Sequence, residues 1–162
     1  MIFLTVGTQL PFDRLVAAVD RWAATRPGAD VFAQVGPTGL RPGAIAWEPF
    51  VAPADCRERM RAAEAIVAHA GMGTILTALE LGTPIVVMPR RADLGEHRND
   101  HQLATARRFA ERGSIAVAFD DDELHARLDA LRAGGPAARP RIARHAEGPL
   151  VDALRAFIAD AG

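Results

Sequence analysis

Six short apolar runs, each followed or preceded by a segment of helical period, constrain this chain more than any other feature. The runs are Ile2–Val6, Val31–Val35, Ala44–Glu48, Ala65–Ala68, Pro84–Met88 and Ile115–Phe119. Most are apolar at successive positions rather than at alternate ones, so both faces of each strand need covering. Between them lie helical patterns. Phe12–Ala24 sets Leu15, Val16, Val19 and Trp22 on one face, and Asp55–Ala62, Thr74–Leu81 and Arg98–Glu111 follow. A further helix runs from the caps at Asp120–Asp122 to Leu131, and a last one from about Leu150 to Ala159. Strands alternating with helices predict an α/β fold: a Rossmann-like three-layer αβα arrangement around a mostly parallel sheet. With 162 residues the chain is expected to form a single domain, with the Ala/Gly/Pro/Arg stretch 133–141 as a linker before the final helix.

Ligands of such sheets bind at the carboxyl ends of the strands, and three loops there carry unusual residues. The most informative is His69-Ala70-Gly71-Met72-Gly73-Thr74. A strand ends in it and a helix begins, which leaves backbone N–H groups unpaired at a helix N-terminus and makes an anion site. Its glycines let a phosphate approach the backbone, and His69 stands beside it as a donor. The second loop, Gly7-Thr8-Gln9, offers a glycine and a hydroxyl, but the G-x-G-x-x-G of dinucleotide enzymes is absent from it. The third runs from Pro89-Arg90-Arg91 to His97, and beyond it come Asn99, Asp100, His101 and Gln102. Arg90 and Arg91 are suited to a diphosphate or to an acidic partner. Asn99, Asp100 and Gln102 combine donors and acceptors as sugar hydroxyls require, although helix capping also explains Asn99 and Asp100. His97 and His101 are four apart, but no third ligand stands at a matching spacing, so no metal is expected.

Composition removes several chemistries. All 19 basic residues are arginines, which excludes the P-loop lysine and Schiff-base catalysis. The one serine, Ser114, lacks the surroundings of a nucleophile elbow. Cys56 is the one cysteine, so no disulfide forms within the chain and a buried structural role is expected for it. A net charge of −1 gives no footprint for nucleic acid. The opening Met1-Ile2-Phe3-Leu4-Thr5-Val6 is a strand without a leader's basic and apolar regions, and no apolar segment reaches membrane-span length, so a cytoplasmic protein is expected.

Taken together, His69–Thr74, Leu79-Glu80-Leu81-Gly82-Thr83-Pro84, Val87-Met88-Pro89, Asn99-Asp100-His101-Gln102, Phe3–Thr8 and Pro11-Phe12-Asp13 carry a resemblance. The chain resembles the donor-binding C-terminal half of GT-B glycosyltransferases of the family 28 type. Within them it is most similar to the subfamily containing the cytosolic subunit of the two-part dolichol-pathway UDP-N-acetylglucosamine transferase and its bacterial exopolysaccharide relatives. The resemblance implies that His69 and the amides of Gly71, Met72, Gly73 and Thr74 hold the donor's phosphates, with Gly7 and Thr8 beside them and Arg90 near. It implies that His101 and Gln102 reach the sugar hydroxyls. The family places a ribose-binding carboxylate eight residues after the His, and here that position is Thr77. A threonine replaces only part of what a carboxylate offers two hydroxyls, a loss of roughly 1–3 kcal/mol. Glu80, one helical turn on, is the residue expected to offset it.

A GT-B enzyme has two such domains, and the resemblance implies that the acceptor half and the general base belong to a membrane-associated partner. The expected activity is inverting, metal-independent transfer of a hexosyl group from a nucleotide sugar, a UDP-hexose foremost, to a lipid-linked acceptor in polysaccharide or glycolipid synthesis. No cofactor is expected besides the donor substrate. Two alternatives stay open: a non-catalytic subunit that stabilises its partner, and a stand-alone sugar-nucleotide enzyme such as an epimerase.

Overall fold

The computed structural model describes residues 1–38, 40–113 and 115–134. The linker and the final helix expected from the sequence lie outside them. Six strands form one sheet: β1 (Ile2–Thr5), β2 (Val31–Gln34), β3 (Ala46–Glu48), β4 (Ala65–His69), β5 (Ile85–Met88) and β6 (Ala116–Val117). Their order is β3-β2-β1-β4-β5-β6, and every pairing is parallel. Five helices flank the sheet: α1 (Asp13–Ala24), α2 (Pro53–Ala62), α3 (Met72–Leu81), α4 (His101–Arg112) and α5 (Asp121–Arg132).

Alternation along each strand divides the core. Ile2, Leu4, Val6, Val67, Val86 and Met88 face α1 and α5, where Leu15, Val16, Val19, Trp22, Leu124 and Leu128 are buried. Phe3, Ile66, Ala68, Ile85 and Val87 face the other way, onto Met60, Ile75, Leu79 and Ala106. Both faces are thus covered, which is why the strands read as continuous apolar runs.

The boundaries differ from expectation where local chemistry intervenes. α2 starts two residues early because Pro53 takes a first-turn position that has no N–H to lose. α3 starts at Met72, straight after Gly71 in an extended cap conformation. α4 starts three residues late, at His101 rather than Arg98. The intervening residues form a folded loop instead, with Asn99 Oδ1 accepting from the His101 N–H (3.3 Å) and Asp100 Oδ1 from the Ala92 N–H (2.9 Å). α3 ends on Gly82 in the left-handed conformation (φ 68°), a common helix stop.

Strand order reverses between β1 and β4, which are neighbours in the sheet but lead to helices on opposite faces. That switch point opens a crevice at the strands' carboxyl ends. The Gly7 loop leaves β1 there and the His69 turn leaves β4.

Candidate active site

At this switch point lies a cleft of about 660 Å³. The β1–α1 loop (Gly7, Thr8, Gln9, Leu10), the β4–α3 turn (His69, Gly71, Gly73, Thr74), Thr77 on α3, Arg90 after β5, and His97, His101 and Gln102 around the start of α4 line it. The far wall is Val51, Pro53, Cys56, Arg57 and Met60, from α2 and the segment before it.

The His69 ring is fixed by absence of side chains around it. A Cβ on Gly7 would come within 2.9 Å of its Cε1, and Gly7 also has φ of +78°. A Cβ on Gly71 would overlap Nε2 outright. Gly71 thus makes room for the imidazole. Gly73 differs: nothing lies within 4 Å of where its Cβ would be. That open space borders the N-terminus of α3, which no side chain caps. The first-turn N–H groups, on Met72, Gly73 and Thr74, are left without intrahelical partners, and the Ile75 N–H is the first to bond back, to the Gly71 carbonyl (3.1 Å). A helix end of this kind carries positive potential.

Burial pushes the His69 pKa down to about 4, helped by the positive charge of Arg90. The imidazole is thus neutral at pH 7, with one nitrogen to donate and one to accept. Its Nδ1 is buried and has no partner among the described residues. Arg90 lies behind the cleft floor, 4% exposed. Its guanidinium donates to the carbonyls of Val6 (2.8 Å) and Leu10 (2.6 Å), and its carbon sits 5.0 Å from the Phe12 ring centroid. It therefore ties the β1–α1 loop to the end of β5 and adds charge from beneath. Arg91 instead pairs with Asp93 at the surface, 2.6 Å away.

Gln102 is buried, its side-chain oxygen accepting the Arg90 N–H at 3.2 Å, so its NH₂ is the donor end. His101 is exposed, its ring edge-to-face with His97 at 4.5 Å and its Nδ1 bonded to Asn99 Oδ1. Asn99 thus acts on His101 and does not line the cleft. Two other expected residues also lie outside the lining. Met72 points outward, 47% exposed, so any contribution from it is its backbone N–H. Glu80 is held by Arg57, Oε2 to Nη2 at 3.0 Å. Thr77 does line the cleft, and its hydroxyl donates to the Gly73 carbonyl at 2.9 Å.

Sequence reasoning passed over Gln34, Arg57 and the apolar wall. Gln34 is buried at the carboxyl end of β2, donating to Thr5 Oγ1 (3.2 Å) and the Gly7 carbonyl (3.3 Å) while accepting the Val51 N–H (2.9 Å). A polar residue ending an apolar strand was its available signal. Arg57 had none, because only the packing of α2 beside α3 brings it to the cleft. Cys56 is half-buried in the same wall, and burial raises its thiol pKa, so it is no ready nucleophile. Among the described residues no three His, Cys, Asp or Glu side chains are grouped to hold a metal ion, and no helix is long and apolar enough to cross a membrane.

Residues 1–152 match the family model of the glycosyltransferase family 28 C-terminal domain. The chain belongs to that family. No curated protein matches this glycosyltransferase domain, but solved structures do. It is similar to the glycotransferase of kitacinnamycin (24% identity, TM-score 0.58, covering 80% of this chain and 34% of that one). It is similar to the glycosyltransferase VinC, solved in complex with dTDP (26%, TM-score 0.53, 82% and 33%). It is also similar to ALG13, known from an NMR solution structure (19%, TM-score 0.61, 94% and 93%). The domain thus spans about a third of the length of the first two and nearly all of the third. Together these likenesses bear out the Rossmann-like half of a GT-B fold.

Proposed function

We propose that the cleft binds the diphosphate of a nucleotide-sugar donor and that the domain activates this donor for glycosyl transfer. The observation that carries the reading is the uncapped N-terminus of α3 facing open space at Gly73, with a neutral His69 beside it and the Arg90 charge beneath. Transfer breaks the bond between the sugar's anomeric carbon and the diphosphate, and negative charge builds on the leaving oxygen. Preorganised N–H groups and a nearby fixed cation stabilise that charge without reorganising. These groups supply the stabilisation in a metal-independent reaction.

The two ends of the cleft differ in chemistry. Val51, Pro53 and Met60 give one end a largely apolar wall suited to a flat base, whereas His97, His101 and the Gln102 NH₂ suit a hexose. The donor therefore lies with its nucleoside toward α2 and its sugar toward α4. UDP-sugars are the foremost candidates, through the resemblance read in the sequence. VinC, with dTDP bound, makes deoxythymidine donors the second. In the same reading a membrane-associated partner presents a lipid-linked saccharide and supplies the general base, which gives inversion at the anomeric carbon by direct attack.

Calorimetric titration tests the reading. UDP should bind the wild-type domain, and His69→Ala should weaken it at least about tenfold, the equivalent of one lost hydrogen bond in a desolvated site. Equal binding by the two proteins would remove His69 and its turn from the site.

A further inference from the structure

The wall beside Thr77 and Arg57 has no carboxylate among its lining residues, and this bears on which nucleosides the cleft can distinguish. Thr77 lies about 6 Å along α3 from Gly73, four residues at 1.5 Å each, so it borders the sugar attached to a diphosphate seated at the helix end. A ribose there presents two hydroxyl donors, at its 2′ and 3′ positions, and a 2′-deoxyribose one.

The side chains available to accept them are few. The Thr77 proton is committed to the Gly73 carbonyl, which leaves the hydroxyl oxygen as a neutral acceptor. Glu80 is the nearest carboxylate on the same helix, but it lies outside the lining and is engaged by Arg57. Arg57 itself is a donor only. The buried Gln34 oxygen already accepts the Val51 N–H and is neutral. Pro53, Met60 and the Val51 side chain accept nothing of consequence. No carboxylate thus stands among the lining residues to hold the pair of hydroxyls.

We propose that this wall does not read the 2′-hydroxyl, so that the site takes ribonucleoside and 2′-deoxyribonucleoside diphosphates with similar affinity. The inference rests on the nucleotide-sugar reading above. Sites discriminate strongly against a missing hydroxyl when its loss strands a buried polar partner. Here the threonine oxygen keeps its own bond to Gly73 whether or not a second hydroxyl is present. The Arg57–Glu80 pair likewise stays formed.

Calorimetry with UDP and 2′-deoxy-UDP tests this on the wild-type chain and on Thr77→Glu and Glu80→Gln. The wild type should bind the two within about threefold of each other. Thr77→Glu, which sets a carboxylate on the wall at a partly exposed position, should create a preference for UDP of about tenfold, the worth of one charge-assisted hydrogen bond. A wild-type preference for UDP above about tenfold would overturn the inference while leaving the nucleotide reading intact. If that preference disappears in Glu80→Gln, the ribose contact belongs to Glu80. Failure of the wild type to bind either nucleotide would overturn the underlying reading, and the inference with it.

Discussion

Three glycines around His69 do three different jobs, and only one of them was legible as such. Gly7 answers a left-handed backbone and the nearby ring together, Gly71 makes way for the ring, and Gly73 leaves open space. From the sequence the glycines of the turn all looked like room for a phosphate, because spacing alone does not say what fills the space beside each Cα. Gly73 gives the sharpest test at this scale. An alanine there has no steric conflict and favours the helix, so Gly73→Ala should raise stability by about 0.5 kcal/mol or more. The same methyl occupies the space assigned to the diphosphate, so UDP binding should fall. Thermal melts and calorimetry on the one variant check both halves, and unchanged binding would move the anion away from the helix end. Asn99 and Glu80 have the right chemistry for a ligand, and in the fold Asn99 Oδ1 meets His101 while Glu80 Oε2 meets Arg57; the Arg57 contact comes from another element and leaves no mark in local sequence.

At the scale of elements, two arginine clasps tie together the loops around the cleft. Arg90 reaches from the end of β5 to the β1–α1 loop. Arg14, on α1, meets Glu96 in the β5–α4 loop through two bonds of 2.7 and 2.9 Å, and reaches the Pro89 carbonyl at 3.0 Å. Glu96 also accepts the Arg91 N–H at 2.9 Å. Its side chain is only 12% exposed, so this is not an ordinary surface pair. Glu96→Ala strips the carboxylate from a half-buried guanidinium, which keeps the Pro89 carbonyl, and leaves the Arg91 N–H without its partner; it should cost about 2 kcal/mol. Urea unfolding of wild type and variant measures it; a change under about 0.5 kcal/mol would reduce the clasp to decoration. The elements themselves were readable because most strands are apolar at successive positions and the long helices keep their period. Their ends were less so. At the start of α4 the side chains of Asn99 and Asp100 compete with the backbone for hydrogen bonds, a contest that periodicity does not register.

For the whole molecule, the sheet order decides where function sits. A doubly wound parallel sheet has its crevice at the reversal of strand order, and here that point joins the Gly7 loop to the His69 turn. The alternating pattern implied such a crevice, and the polar residues at the strand ends pointed to three of its walls. The fourth, from Val51 to Met60, stayed hidden because its residues are ordinary ones on an ordinary helix and matter only through the placement of α2 beside α3. A diphosphate seated at the N-terminus of α3 is reported directly by amide chemical shifts there. On titration with UDP, the largest shifts in a ¹⁵N-resolved NMR spectrum should fall on Met72, Gly73 and Thr74, with smaller ones at Gly7 and Thr8. Shifts concentrated elsewhere, with the first turn of α3 unmoved at saturation, would contradict that placement.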